Sequence, residues 1–286
     1  MKVAILAGGI GSRLSEETEI KPKPMVEIGG RPILWHIMMH YAHYGFQDFV
    51  MALGYKSEII KKYMMDYCSL TRNLRIQMGT GEIIKNGGER CDWTVDLVDT
   101  GMNTQTGGRI KRLAPYLRGE TFMLTWGDGV SNINLLELLK FHRSHGKLAT
   151  LSAVRPVARF GHLDLEDSRV VEFSEKPQAR EGWINGAFFV LEPEIFDYID
   201  GDETHWEKEP LERLAKEGQL MAYKHDSFWQ CMDTLREKKY LENLWETNQA
   251  PWKIWGGKEK ENENTNHGAS RIYRNGNGAV AASSGA

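Results

Sequence analysis

The sequence predicts an α/β protein: a doubly wound, mixed but mostly parallel sheet, covered by helices on both faces, with small antiparallel hairpins. Three observations carry this. Apolar runs of strand length alternate with segments of helical period from the first residues onward. The first run, residues 1–6, opens directly into the Gly-rich turn Ala7-Gly8-Gly9-Ile10-Gly11. A later run, residues 121–126, ends in Gly127-Asp128-Gly129. In such sheets ligands lie beyond the carboxyl ends of the strands, so both turns are expected on one functional edge.

At 286 residues the chain can bury a substantial core. Residues 1–255 are expected to form one catalytic-size domain. Residues 256–286 are rich in Gly, Asn, Ser and Ala and poor in large apolar side chains, so they are expected to be a disordered tail. The 36 basic and 39 acidic residues leave a net charge of −3 with no long block of either sign, which argues against a nucleic-acid partner. No apolar run reaches the length of a membrane span, and Met1 leads straight into the first strand, so no leader is expected. The three cysteines, Cys68, Cys91 and Cys231, form no Cys-x-x-Cys pair and read as reduced thiols of a cytoplasmic protein.

In chain order, residues 31–41 read as a helix with Pro32 in its first turn and Ile33, Leu34, Ile37, Met38 and Tyr41 on one apolar face. His36, His40 and His43 lie near one another on it, but no acidic or thiol ligand accompanies them. They are expected on the outer face or at a subunit contact rather than at a metal. A strand over 48–53 and a helix over 57–67, with Ser57 as N-cap, come next. The polar, Gly-containing stretch 69–92 suggests a hairpin or protruding loop, and 94–98 alternates like a half-buried strand. Residues 99–109 read as a loop with a second glycine pair, Gly107-Gly108. After 121–126 come a helix over 132–145, a strand over 148–154 and a hairpin turning at Asp167-Ser168. The strand over 183–191 contains Gly186, which implies a close approach to its backbone. Helices over 193–199, 207–217 and 235–245 complete the chain. Nine Trp residues exceed what one core obviously needs, so some are expected at a subunit contact.

The chemistry concentrates in the first 25 residues. Glycines let backbone N–H groups approach phosphate oxygens, and Arg13, Lys21 and Lys23 follow the turn. This pattern suits a nucleoside triphosphate. It is not the dinucleotide fingerprint, because Leu14 stands where the third glycine belongs. It is not a P-loop either, because no Gly-Lys-Ser/Thr closes the turn. The plain alternative is a tight strand-to-helix connection with no ligand. Asp128, at the end of a central strand, is either a simple turn residue or a ligand for Mg²⁺, which favours few carboxylates plus phosphate oxygens and waters. Asp233 in Met232-Asp233-Thr234 reads, taken alone, as the cap of the last helix.

The runs Gly8-Gly9-Ile10-Gly11-Ser12-Arg13-Leu14 and Pro22-Lys23-Pro24 resemble the signature of the sugar-1-phosphate nucleotidylyltransferases. Within that family, residues 14–18 and 21–30 resemble the branch that uses CTP and glucose 1-phosphate. The resemblance spans about residues 1–255. It implies a Rossmann-like, glycosyltransferase-A-like sheet and a Mg²⁺-dependent transfer of a cytidylyl group to α-D-glucose 1-phosphate, for nucleotide-sugar biosynthesis. It further implies a cytoplasmic homo-oligomer, a hexamer in the related branch. Leu6, Ala7, Gly8, Gly9, Gly11, Ser12, Arg13, Lys23, Thr106, Arg109 and Gly127 are then expected at the nucleotide, and Arg13, Lys23 and Asp128 in catalysis. Gly161, Glu175, Lys176, Asn185 and Gly186 are expected at the sugar phosphate, although Glu175 and Lys176 alone would read as a solvated hairpin end. Asp128 and Asp233 would share Mg²⁺. Two positions depart from the family pattern: Ser12 stands where many relatives carry Thr, and Ala187 follows Asn185-Gly186 where a second glycine is usual. A UTP- or dTTP-dependent relative and a non-catalytic nucleotide-binding subunit are the competing functions.

Overall fold

In the computed structural model, residues 1–87, 92–156, 162–166, 169–174 and 182–256 are described. Residues 1–255 form one compact unit. The tail expectation and those for Gly161, Glu175 and Lys176 fall outside the described residues.

The central sheet is built from β1 (Val3–Leu6), β2 (Asp48–Leu53), β3 (Thr94–Asp99), β4 (Phe122–Trp126), β5 (Ala149–Val154), β6 (Ile184–Leu191) and β7 (Leu220–His225). Its order is β7-β5-β6-β4-β1-β2-β3. β1, β2, β3 and β4 run parallel, as do β5 and β7, while β6 is antiparallel to both its neighbours. The sheet is thus mixed and mostly parallel, as the sequence predicts. β1 is central because its side chains are apolar on both faces: Val3, Ala4 and Ile5 are fully buried.

Helices pack on both faces: α1 (Ile33–His43), α2 (Ser57–Leu70), α3 (Thr106–Arg112), α4 (Leu135–His145), α5 (Glu209–Lys216) and α6 (Leu235–Glu246). Alternate strand residues feed two cores. Val3, Ile5, Phe49, Met51 and Met123 meet Ile33, Ile37 and Tyr41 of α1, Leu138 of α4 and Leu241 of α6. Ala4, Val50, Ala52, Leu124 and Phe189 meet Ile110 of α3, Leu214 of α5 and Trp206. Burial of this kind is worth about 1.5–3 kcal/mol for each large apolar side chain. Among the described residues the small elements are antiparallel: Asn73–Gln77 with Glu82–Asn86, His162–Glu166 with Arg169–Ser174, and Gly129–Ser131 with Trp229–Cys231.

Several local expectations are corrected. Arg31–Pro32 pairs with Glu27–Ile28 as a two-residue ladder, so Pro32 is the N-cap of α1 rather than a residue of its first turn. Lys56, in the left-handed region at φ 50°, precedes α2, and Ser57 is already helical. α4 begins at Leu135 because the Asn134 side chain accepts from the N–H groups of Leu136 and Glu137. Residues 106–109 are helical, not loop.

His36 and His40 are not on an outer face: they are 0% and 2% exposed. Each Nε2 meets a backbone carbonyl, of Ile28 at 2.9 Å and of Ile133 at 2.8 Å. Burial holds both imidazoles neutral, with pKa values lowered to about 4. Four of the nine tryptophans pack around one of these rings. Trp35, Trp245, Trp252 and Trp255 surround His36, and Trp252 Nε1 donates to His36 Nδ1 at 3.3 Å.

Candidate active site

β1 delivers the Gly-rich turn to the carboxyl edge of the sheet. The turn wraps a cavity of about 690 Å³ whose wall also includes Lys23, Asp128, Asn185, Glu207 and Asp233. A Cβ on Gly8 would displace the Arg109 guanidinium and stand 3.0 Å from Gly54 N, so glycine lets that guanidinium sit under the turn. Gly11, at φ 69°, makes the left-handed step that starts the short turn Ser12–Leu14 carrying Arg13. Around Gly9 nothing lies within 4 Å of a would-be Cβ, so that backbone faces open space.

Asp128 is placed by Gly127, whose N–H donates to Leu6 O at 3.0 Å. A Cβ on Gly127 would stand 2.9 Å from both Leu6 O and Pro24 Cγ, so β4 reaches the end of β1 only without a side chain. Asp233 arrives from the far end of the chain. The ribbon Gly129–Ser131/Trp229–Cys231 pairs Gly129 with Cys231, and Met232 N–H donates to Asp128 O at 2.8 Å. Both carboxylates therefore lie just beyond the same end of the ribbon.

The two carboxylates converge on a single cation. Lys23 Nζ donates to Asp128 Oδ2 at 2.5 Å and to Asp233 Oδ1. Arg13 Nη1 meets Asp233 Oδ2 at 2.9 Å. Lys23 is 8% exposed. Burial works against its charge, but Asp128 and Asp233 outweigh it and hold the ammonium above the ordinary lysine pKa.

Asp233 is not the helix cap. Thr234 caps α6, with Glu237 closing a capping box. Glu237 Oε2 accepts from the N–H groups of Asp233 at 2.7 Å and Thr234 at 2.9 Å. That frees the Asp233 carboxylate for the cavity. The Thr-x-x-Glu pattern at 234–237 was the sequence signal for this arrangement.

Arg109 lines the cavity but its guanidinium is directed into the protein. Nη1 donates to Leu53 O, Thr100 Oγ1 and Gly101 O at 3.1, 2.8 and 2.8 Å, and Nη2 to Met102 O at 3.1 Å. It ties the ends of β2 and β3 under the turn. Thr106 donates to Glu207 Oε2 at 2.5 Å and accepts from Trp206 N–H. Thr104 and Glu207 thus join the wall without any distinctive sequence pattern.

At the β6 end, Asn185 Oδ1 accepts from Ala187 N–H at 2.8 Å, and Gly186 O accepts from Trp229 Nε1 at 2.8 Å. Gly186 is needed because a Cβ would stand 2.6 Å from Ser152 Oγ and from Val154 Cγ1. Ala187 lies at φ 63°, opposite an irregularity of β5 between Leu151 and Ala153. Cys231 lies on the same wall. Burial, with Glu237 and Asp233 nearby, pushes its thiol to about 12.

Residues 2–244 match the family described as Nucleotidyl transferase. The chain belongs to this family. It is 51% identical over 256 residues to the glucose-1-phosphate cytidylyltransferase of Salmonella typhi, covering 89% of this chain and 100% of that protein. A probable glucose-1-phosphate cytidylyltransferase of Bacillus subtilis is 44% identical over the same shares. Among solved structures, HddC from Yersinia pseudotuberculosis complexed with GMP-PN aligns with TM-score 0.62 and 24% identity, covering 85% of this chain and 99% of that one. A UDP-glucose pyrophosphorylase complexed with UDP-glucose aligns with TM-score 0.61 and 15% identity, covering 86% and 98%. At these identities the structures establish the nucleotidyltransferase fold, and the closer relatives establish an enzyme of this family. Its Gly-rich turn and acid–lysine cluster lie together at the carboxyl edge of β1 and β4.

Proposed function

We propose that this nucleotidyltransferase joins CTP and α-D-glucose 1-phosphate to give CDP-glucose and pyrophosphate. One observation carries the mechanism: Arg13, Lys23, Asp128 and Asp233 converge beside the Gly-rich turn. A phosphate oxygen of the sugar phosphate attacks the α-phosphorus of CTP. The bond from that phosphorus to the bridging oxygen breaks, and pyrophosphate leaves with the electron pair. The attacking group is already ionised, so no general base is required, and positioning with charge neutralisation supplies the acceleration.

The N–H groups of the turn at Gly8, Gly9 and Gly11 receive phosphate oxygens. Lys23 turns from the carboxylates to the α-phosphate, and Arg13 stabilises the departing pyrophosphate. Arg109 acts by holding the turn and the 100–102 backbone in place, with Thr106 beside it on the nucleotide side. Asn185 and Gly186 shape the sugar side, and Gly161, Glu175 and Lys176 are assigned there on resemblance.

The donor set suits Mg²⁺, because two carboxylates already meet at one cation. Asp128 and Asp233 would hold the ion, which when bound neutralises nucleotide phosphate charge.

The enzyme is proposed to work in the cytoplasm as a homo-oligomer; no helix among the described residues is long and apolar enough to cross a membrane. The hairpin Asn73–Gln77/Glu82–Asn86 exposes Leu74, Ile76, Ile83 and Ile84, and supports a contact between copies. Light scattering at micromolar protein would return a multiple of the monomer mass. The catalytic unit is proposed to end near Trp255, so removing residues 257–286 should leave turnover and melting unchanged.

The deciding experiment is pyrophosphate release with glucose 1-phosphate and each of CTP, UTP, dTTP and GTP. CTP should be preferred, and equal or greater turnover with UTP or dTTP would overturn the assignment.

A further inference from the structure

The run Leu14-Ser15-Glu16-Glu17-Thr18 has no part in the chemistry above, and Glu17 lies outside the cavity wall. Its carboxylate nevertheless touches both arms of the site. Oε1 receives the ammonium of Lys238 on α6. Oε2 stands 4.0 Å from Lys21 Nζ, two residues before Lys23. Glu17 itself sits in the helical turn Ser15–Thr18 that directly follows the short turn Ser12–Leu14 carrying Arg13. The stretch carrying Arg13, the stretch carrying Lys23 and the helix behind Asp233 therefore meet at one side chain.

We propose that Glu17 and Lys238 are positioning residues that hold the Arg13–Lys23 arm at working distance from Asp233. The inference rests on the proposed nucleotidyl transfer. Arg13 and Lys23 touch Asp233 directly, but in that reaction they must turn to phosphates. A tie that survives their change of partners has to lie outside the cavity, and the Glu17–Lys238 pair does. Its connection to Asp233 is short and stiff. Lys238 follows Glu237, whose carboxylate holds the Asp233 and Thr234 N–H groups. One helical turn further, Glu242 Oε1 accepts from Gly29 N–H at 3.0 Å, so the same face of α6 grips the N-terminal arm twice.

The partners' side chains are 25% and 22% exposed, and a pair so placed contributes little to global stability. A small misplacement of reacting groups, by contrast, costs a large factor in rate. The two effects separate in experiment.

The test uses the full chain with Glu17→Ala, Lys238→Ala, Lys238→Arg and the reversed pair Glu17→Lys/Lys238→Glu. Turnover is measured with whichever triphosphate the parent uses. Each alanine variant should lose about tenfold in kcat with KM within about twofold and melting within a few degrees. Lys238→Arg should stay within about twofold of the parent, and the reversed pair should recover at least threefold over the singles. Where Glu17→Ala fails to fold, Glu17→Gln, which keeps shape and removes charge, carries the same expectation. Hydrogen exchange over residues 11–25 should rise in the singles and fall again in the reversed pair. That readout does not depend on the reaction, so failure of the proposed transfer and failure of the tie are distinguishable. Unchanged kcat and exchange in the singles, or no recovery in the reversed pair, would overturn the proposal.

Discussion

Asp128 and Asp233 share one ammonium group, Lys23 Nζ, with Asp128 Oδ2 at 2.5 Å from it. Neither carboxylate has the simple structural role that would make it replaceable by an amide. Thr234 caps α6, and the Asp128 side chain, in the turn Gly127-Asp128, goes to Lys23 rather than to a backbone N–H of that turn. Asp128→Asn and Asp233→Asn should therefore each reduce turnover tenfold or more, about 1.4 kcal/mol per tenfold, with the fold intact. Raised Mg²⁺ should restore part of the loss. Steady-state kinetics alongside circular dichroism checks this, and full activity in both variants would refute the assigned roles.

His36 and His40 give stability a pH dependence with a defined sign. Both are lowered to about 4 in the folded chain from an ordinary value of 6.5, burial being the largest cause. Between those values the unfolded chain binds the extra protons. Stability is thus full above about pH 6.5 and declines as pH falls toward 4, by roughly 1.4 kcal/mol per pH unit for each histidine. Urea midpoints at pH 7.5, 6.5 and 5.5 should fall in that order. A flat profile would mean that these imidazoles are not buried neutral.

What could be read in advance follows the range of the interactions involved. The run 48–53 is apolar enough to mark β2 to the residue, and Gly127-Asp128-Gly129 announces a turn at a strand end by local chemistry alone. The meeting of Asp128 with Asp233 depends on pairing two three-residue strands from distant parts of the chain, which leave no periodic trace. His36 and His40 read as outward because a polar side chain on an amphipathic helix ordinarily faces solvent. Only the fold supplies the Ile28 and Ile133 carbonyls that accept them inside. Nor does the sequence around Arg109 show that its guanidinium is held by the carbonyls of Leu53, at the end of β2, and Gly101, just beyond β3.

Cys231 stands on the cavity wall yet has the environment of an unreactive thiol, pushed up to about 12 by burial and by Glu237, Asp233 and Asp128. At pH 8 it should resist iodoacetamide in the native protein and react once unfolded. Peptide mass spectrometry of both samples reads this directly. Cys231→Ser should keep turnover within a few fold, and rapid native alkylation would show a thiolate that the surroundings do not predict.

Ala187 carries the backbone cost of the β6 end. Its φ of 63° is a left-handed conformation that costs an L-residue on the order of 1–3 kcal/mol. The surroundings hold it there: Asn185 Oδ1 accepts the Ala187 N–H, and Phe188 N–H donates to Ser152 Oγ at 3.2 Å. A glycine would remove the strain but add freedom to the unfolded chain and give up a buried methyl, so Ala187→Gly should range from neutral to about 1 kcal/mol stabilising. Valine adds a second branch at a backbone angle that disfavours it, so Ala187→Val should cost about 2 kcal/mol or more. Asn185→Ala should leave the Ala187 N–H without its acceptor and cost about 1–3 kcal/mol. Denaturant unfolding of the three variants orders them. Stability of Ala187→Val equal to that of Ala187→Gly would mean that residue 187 does not hold a positive φ in solution.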